Sequence, residues 1–199
     1  MLIADGEFRY DIRRAGELIA VETETLAWGR IHGIRRPASG SNVFEVEAWL
    51  DDSGLVRSVI ASYNRGPFTR NATYESIDSF LRGKISTGGS RNDLTTKLGR
   101  YGEVDADLLI FRALTIAHIR ERGQTRWTGR IAAIDPNTLV AATSKQSCRQ
   151  RGNDPHLWLY EPRMGDSEEI EIDDAGIVVR RRDSRGVETL LVSKESVSE

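Results

Sequence analysis

Two segments far apart in the chain carry the same device. Residues 46–57 and residues 169–180 each lead alternating apolar and polar side chains into an Asp-Asp-x-Gly turn and leave through a β-branched run. The turn is Asp51-Asp52-Ser53-Gly54 in one and Asp173-Asp174-Ala175-Gly176 in the other. An aspartate can bond the backbone just ahead of it, and a glycine takes the positive φ that a tight reversal needs, so both segments predict β-hairpins. A chain that repeats this device builds an antiparallel sheet from local reversals.

The alternation recurs along most of the sequence. Phe8, Tyr10 and Ile12 alternate with polar residues. Ile19, Val21, Thr23 and Thr25 then share one side of the next run, with Glu22 and Glu24 on the other. Residues 35–42 are dense in breakers and read as a loop, followed by a strand carrying Phe44, Val46, Ala48 and Leu50. Beyond the first Asp-Asp turn, Leu55, Arg57, Val59, Ala61 and Tyr63 fall on one face. Residues 72–87 mix helical and strand spacing and are read as two short strands, and 88–93 as a polar loop. Further strands are expected at 127–133, 139–143, 157–160, 170–172, 177–181 and 187–193, with turns at 135–137 and 184–186.

One segment breaks the pattern. Residues 105–122 carry nine apolar residues between Leu108 and Ile119, acids at the start (Asp105, Asp107), arginines at the end (Arg120, Arg122) and Gly123 beyond. Charge order and stop residue suit a helix and its dipole. Its apolar residues exceed one stripe, so such a helix must be almost wholly enclosed. A pair of buried strands fits the periodicity as well. The expectation is a mainly β protein: a curled antiparallel sheet (an open or incomplete β-barrel) of about ten strands in sequential hairpins. One helical or irregular apolar segment lies at about 105–122. A single domain spans 1–193, with a frayed tail at 194–199.

Composition narrows the function classes. Hydrophobic residues make up 39% of the 199, which suits a sheet with one wetted face or two packed sheets. The net charge is −2, so no global basic field exists for a nucleic-acid backbone. Of 28 basic residues four are lysines, leaving 24 arginines, whose planar donor forks suit carboxylates, phosphates and sugar hydroxyls. Cys148 is the one cysteine, so neither an intramolecular disulfide nor a cysteine metal cluster can form. The N-terminus has no basic region followed by an apolar run, and no stretch is long enough to span a bilayer. A cytoplasmic, non-membrane-spanning protein is expected.

No catalytic or metal signature emerges, and no cofactor is expected. His32, His118 and His156 have no zinc spacing. The paired aspartates sit in turns, and Gly88-Gly89-Ser90 lacks the lysine of a phosphate loop. Aromatics are more suggestive. Trp158 and Tyr160 share one face of a strand whose other face carries Leu157 and Leu159, as in a strand set between two layers or lining a cavity.

Several segments together resemble a bacterial family described as glycolipid-binding, whose fold is an open β-barrel like that of lipoprotein carriers. Gly102-Glu103-Val104-Asp105-Ala106-Asp107-Leu108 is similar to the family's Gly-x-x-Asp-x-Asp-Leu element. Leu114-Thr115-Ile116 and Arg120, then Leu139, Val140 and Gln146, and finally Ile172 to Val178 follow in the family's order. Where the family has Thr-Pro-x-Thr-Asn, this chain has Phe111-Arg112-Ala113 and its surroundings. The resemblance covers residues 44–181 and implies a non-catalytic protein that holds a lipid or glycolipid in a sheet concavity. Trp49, Tyr63, Trp127, Trp158 and Tyr160 are the expected wall, with Arg57 and Arg70 as head-group partners. The alternatives are a protein-binding or homodimerising β domain without a small ligand, and a barrel-type enzyme acting on a hydrophobic or sugar-like substrate.

Overall fold

The computed structural model describes residues 3–98, 103–162 and 166–197. Eight strands come first: β1 (Gly6–Arg14), β2 (Glu17–Ala27), β3 (Arg30–Pro37), β4 (Val43–Leu50), β5 (Val56–Arg65), β6 (Phe68–Ile77), β7 (Phe80–Thr87) and β8 (Ser90–Lys97). The short β9 (Val104–Asp105) leads into the helix α1 (Leu109–Glu121). Then follow β10 (Arg126–Ile134), β11 (Ala141–Gln150), β12 (Leu157–Pro162), β13 (Glu168–Ile172), β14 (Val178–Asp183) and β15 (Val187–Glu195).

These strands form one sheet in the order 8-7-6-5-4-3-2-1-15-14-13-12-11-10-9. Consecutive strands pair throughout except β8 and β9, which lie at the two ends of the order; β9 pairs parallel with β10, and β15 returns to pair antiparallel with β1 from Glu7↔Glu195 to Arg14↔Val187. The sheet curls until β8 approaches β11, but no ladder closes it. Side chains bridge the seam instead. Thr96 donates to the Ala141 carbonyl, Thr143 to the Lys97 carbonyl, and the Tyr74 hydroxyl to the Leu139 carbonyl while accepting from the Ala141 N–H.

The hairpin device works as its residues require, and a third copy joins the two. Asp51 Oδ1 accepts from the N–H of Ser53 and Leu55, and the Gly54 N–H donates to the Asp51 carbonyl. Asp173 accepts from Ile177 with Gly176 closing on it, and Asp183 accepts from Arg185 and Val187 with Gly186 closing on it. The paired carboxylates of the sequence are therefore turn-builders.

Among the described residues, fifteen strands replace the expected ten or so. Residues 35–37 complete β3 rather than opening a loop; Pro37 sits at the strand end, opposite Ala20, where a missing donor matters least. Residues 90–93 belong to β8, an edge strand exposed on both faces there, so no alternation marks it. Residues 72–87 are strand throughout apart from the turn at 78–79.

The apolar segment is a helix over Leu109–Glu121, and every residue from Leu109 to Ile119 is buried. It lies inside the bowl of the curled sheet and joins its core. Its end is a full Schellman motif, with Gln124 N–H on the Ile119 carbonyl, Gly123 N–H on the Arg120 carbonyl, and Gly123 at φ +64°. Gly102, first residue of the resemblance motif, lies outside the described residues. Among the described residues, no helix is long and apolar enough to cross a membrane.

Candidate functional site

The helix begins without a cap of its own: Leu108 at the N-cap makes no side-chain bond. The sheet supplies the caps. Glu22 accepts from the Leu109 N–H at 3.0 Å and Glu24 from the Ile110 N–H at 2.9 Å, both reaching inward from β2. The face of β2 that carries glutamates is thus the inner one. Carboxylates at a helix N-terminus satisfy orphan donors and complement the dipole.

These glutamates start a buried ionic network. Arg35 of β3 reaches Glu22 at 2.6 Å and Asp107 at 2.8 Å, and also donates to the Asp107 carbonyl. Arg112, in the first turn of α1 and 8% exposed, pairs with Asp105, with Asp107 at 3.2 Å and with Glu168 of β13 at 3.5 Å. Arg181 of β14 completes the set on Glu168 at 2.6 Å. Arg112 also lies over the Tyr160 ring, 5.4 Å from its centre, and the Tyr160 hydroxyl donates to Gln146 Oε1. Three guanidinium groups thus pair with four carboxylates, Glu22, Asp105, Asp107 and Glu168, with Glu24 a fifth acid beside them.

Proton affinities follow the geometry. Burial alone would raise Asp107, but Arg35 and then Arg112 outweigh it and hold the carboxyl below its ordinary value. Burial would depress both arginines; their carboxylate partners hold them charged. Asp105 is raised by burial despite Arg112. Glu24 is raised well above the ordinary value by burial and by neighbouring Glu22, with the Ile110 N–H and Arg35 opposing. Its second oxygen is buried without a hydrogen-bond partner.

A pH signature follows. A carboxyl whose folded pKa is raised binds its proton more tightly when folded, so its contribution falls as pH rises from ~4.5 towards that raised value. Glu24→Gln keeps the acceptor and removes the titration. Urea unfolding of both proteins across this range is expected to show wild type losing stability relative to the variant as pH rises, by up to about 1.4 kcal/mol per pH unit. Taking the difference cancels the other titrating groups. A difference that stays flat with pH would mean Glu24 is ionised in the folded protein.

Above the network the bowl is open. A cavity of about 900 Å³ has Asp105, Asp107, Arg112, Gln146, Glu168 and Arg181 at its polar end. Its sides carry Ile12, Ile19, Leu108, Leu109, Val140 and Val187. Asp107 is the most accessible of the acids paired with Arg112, 36% exposed against 6–7% for Asp105 and Glu168. Its backbone is held at φ +59°, an uncommon conformation that Asp tolerates better than most. The opening lies among the β1–β2, β10–β11, β12–β13 and β14–β15 connections, which contribute Arg14, Pro136, Asp166 and Arg185.

None of the seven side chains expected at the site from sequence is among the residues lining this cavity. Tyr160 adjoins it through Gln146 and Arg112. Trp158 and Trp127 are buried in the core, Trp158 donating to the Pro155 carbonyl, and Tyr63 packs half-buried against it. Trp49 faces the outside under Arg30, in a separate depression of about 590 Å³ with Trp28. Arg57 is exposed because a bulge pairs Leu50 with Val56 and Trp49 with Ser58, leaving it out of register. Arg70 ties the seam, donating to the Asn137 carbonyl. Asp105, Asp107, Leu108 and Gln146, which carry the sequence resemblance, do line the cavity. Sequence reasoning missed Arg35, Arg112, Glu168 and Arg181. Arg112 left a signal: a charge inside an otherwise apolar helix.

Among the described residues no cluster of three or more His, Cys, Asp or Glu is placed to hold a metal ion. Cys148 is a buried core thiol pushed up to about 12 by burial.

The chain matches no protein-family model and no curated protein. Solved structures do share its fold. A β-barrel-like protein of the domain of unknown function DUF1849 from Brucella abortus superposes with a TM-score of 0.63 at 11% identity, covering 98% of this chain and 99% of that one. A DUF1089 family protein from Pseudomonas aeruginosa gives 0.58 at 17% identity, covering 84% and 90%. The fold is an unclosed β-barrel of this kind.

Proposed function

We propose that the open bowl binds a small amphipathic molecule with a neutral, hydroxyl-rich head, a lipid or glycolipid, without transforming it. The observation that supports this is the cavity's division into a charged deep end and apolar sides. Apolar walls favour an alkyl chain by burial. Asp107, Gln146 and Arg181 offer the acceptors and donors that hydroxyl groups need. A free phosphate would face Asp105, Asp107 and Glu168, and the arginines there are already paired.

The test is calorimetric titration with dodecyl maltoside below its micelle concentration, beside dodecanoate, and mass spectrometry of a solvent extract of the purified protein. The maltoside is expected to bind at one site per chain and dodecanoate to bind more weakly. Asp107→Asn keeps the backbone conformation and is expected to weaken maltoside binding about tenfold, the loss of one charge-assisted hydrogen bond. No heat from either amphiphile and no lipid in the extract would end the proposal.

A further inference from the structure

We propose that the mouth of the bowl docks on an anionic lipid bilayer. The inference rests on the amphiphile-binding reading, because the mouth is where such a ligand enters.

Strand order and register place the β1–β2, β3–β4, β5–β6, β7–β8, β10–β11, β12–β13 and β14–β15 connections at one end of the sheet. Four large hydrophobic residues stand exposed there: Leu18, Ile19, Phe68 and Val140. Ile19 and Val140 also line the cavity. Phe68, at 73% the most exposed of them, lies two residues from Arg70, which bonds Asn137 in the turn that leads to Val140. At the tip of the β5–β6 hairpin Arg65, Phe68 and Thr69 are exposed. Trp28, Ile60, Ile77 and Val192 are exposed elsewhere, but the four at this end adjoin the cavity mouth, and apolar groups at such a rim mark an interaction surface.

Charge selects the partner. Arg14, Arg36, Arg65 and Arg91 are exposed at this end and make no ion pair or hydrogen bond among the described residues. The acids nearby are engaged: Asp135 and Asp183 close their own turns and Asp166 takes Arg185. Glu17 and Asp93 carry opposing exposed charge, two acids against four arginines. Unpaired arginines around apolar tips suit a surface with anionic head groups above hydrocarbon. The chain's net charge of −2 makes this local excess a property of one end.

The experiment is vesicle flotation with phosphatidylcholine alone and with added phosphatidylglycerol, alongside the maltoside titration in vesicle-free solution. Wild type is expected to float with the anionic vesicles and to release as salt rises. Phe68→Ser and the pair Arg65→Glu, Arg91→Glu, none of them lining the cavity, should each reduce flotation about tenfold. Both variants change exposed positions, so circular dichroism and maltoside affinity should match wild type. Failure of wild type to float, or undiminished flotation of the variants, overturns docking whatever the maltoside does. Flotation that fails in the variants while maltoside never binds supports docking and removes the cavity reading alone.

Discussion

Replacing Arg112 by Met is expected to destabilise the protein by about 3–5 kcal/mol, the usual penalty for removing one partner of a buried ion network. The guanidinium is 8% exposed and serves Asp105, Asp107 and Glu168 together. Without it, Asp105 and Glu168 lose their shared cation in a site that water reaches poorly, and Arg181 retains Glu168 alone. The network, rather than one pair, is what is broken. Urea unfolding at neutral pH measures the loss. Adding Asp105→Asn should recover part of it, because the second change removes the stranded charge, so the double variant should be more stable than the sum of the two single changes. A loss under about 1 kcal/mol would show that Arg112 is solvated, and the cavity would then lack its defined polar end.

Gly83→Ala is expected to cost about 1–3 kcal/mol, the range for overpacking a tight site. A Cβ at Gly83 would stand 2.3 Å from the Thr73 carbonyl oxygen and 2.3 Å from the Tyr74 ring. The carbonyl belongs to the β6–β7 ladder and cannot give way cheaply, so Tyr74 must move. Tyr74 is the side chain that bonds both Leu139 and Ala141 across the unclosed seam. Hydrogen exchange should therefore quicken at Ala141 before it quickens in the β1–β2 ladder. Equal protection of the two regions in the variant would show that the seam does not depend on Tyr74.

The hairpins were legible because their chemistry is local. An aspartate, a glycine three residues on and flanking alternation place Asp51 and Asp173 correctly with no knowledge of the rest of the chain. The helix was legible as one of two readings: acids before it, basic residues at its end and Gly123 after it marked the ends, while its all-round apolarity left strands open. Enclosure in the bowl resolves that, since every residue from Leu109 to Ile119 is buried. The β2 alternation separated Glu22 and Glu24 from Ile19, Val21, Thr23 and Thr25 without saying which side is inside. The glutamates point inward, where the start of a buried helix needs acceptors that its own residues do not provide.

The polar end of the cavity was only half visible. Asp105, Asp107 and Gln146 stood out through a motif, but Arg35, Arg112, Glu168 and Arg181 lie on four different elements with no spacing to link them. Aromatic content pointed instead to tryptophans, which supply buried area wherever the core needs it. The Arg57 expectation assumed unbroken alternation, and a one-residue bulge turned that side chain to solvent.

By itself the sequence determined the reversals, the antiparallel pairing they force, and the single segment that breaks the β rule, because each depends on residues within a few positions of one another. Tertiary structure alone decided which face of each strand is inside, how far the sheet curls, and that the helix stops short of filling the bowl. Those outcomes depend on the packing and pairing of side chains brought together from opposite ends of the chain, and no local pattern encodes the space that such packing leaves vacant.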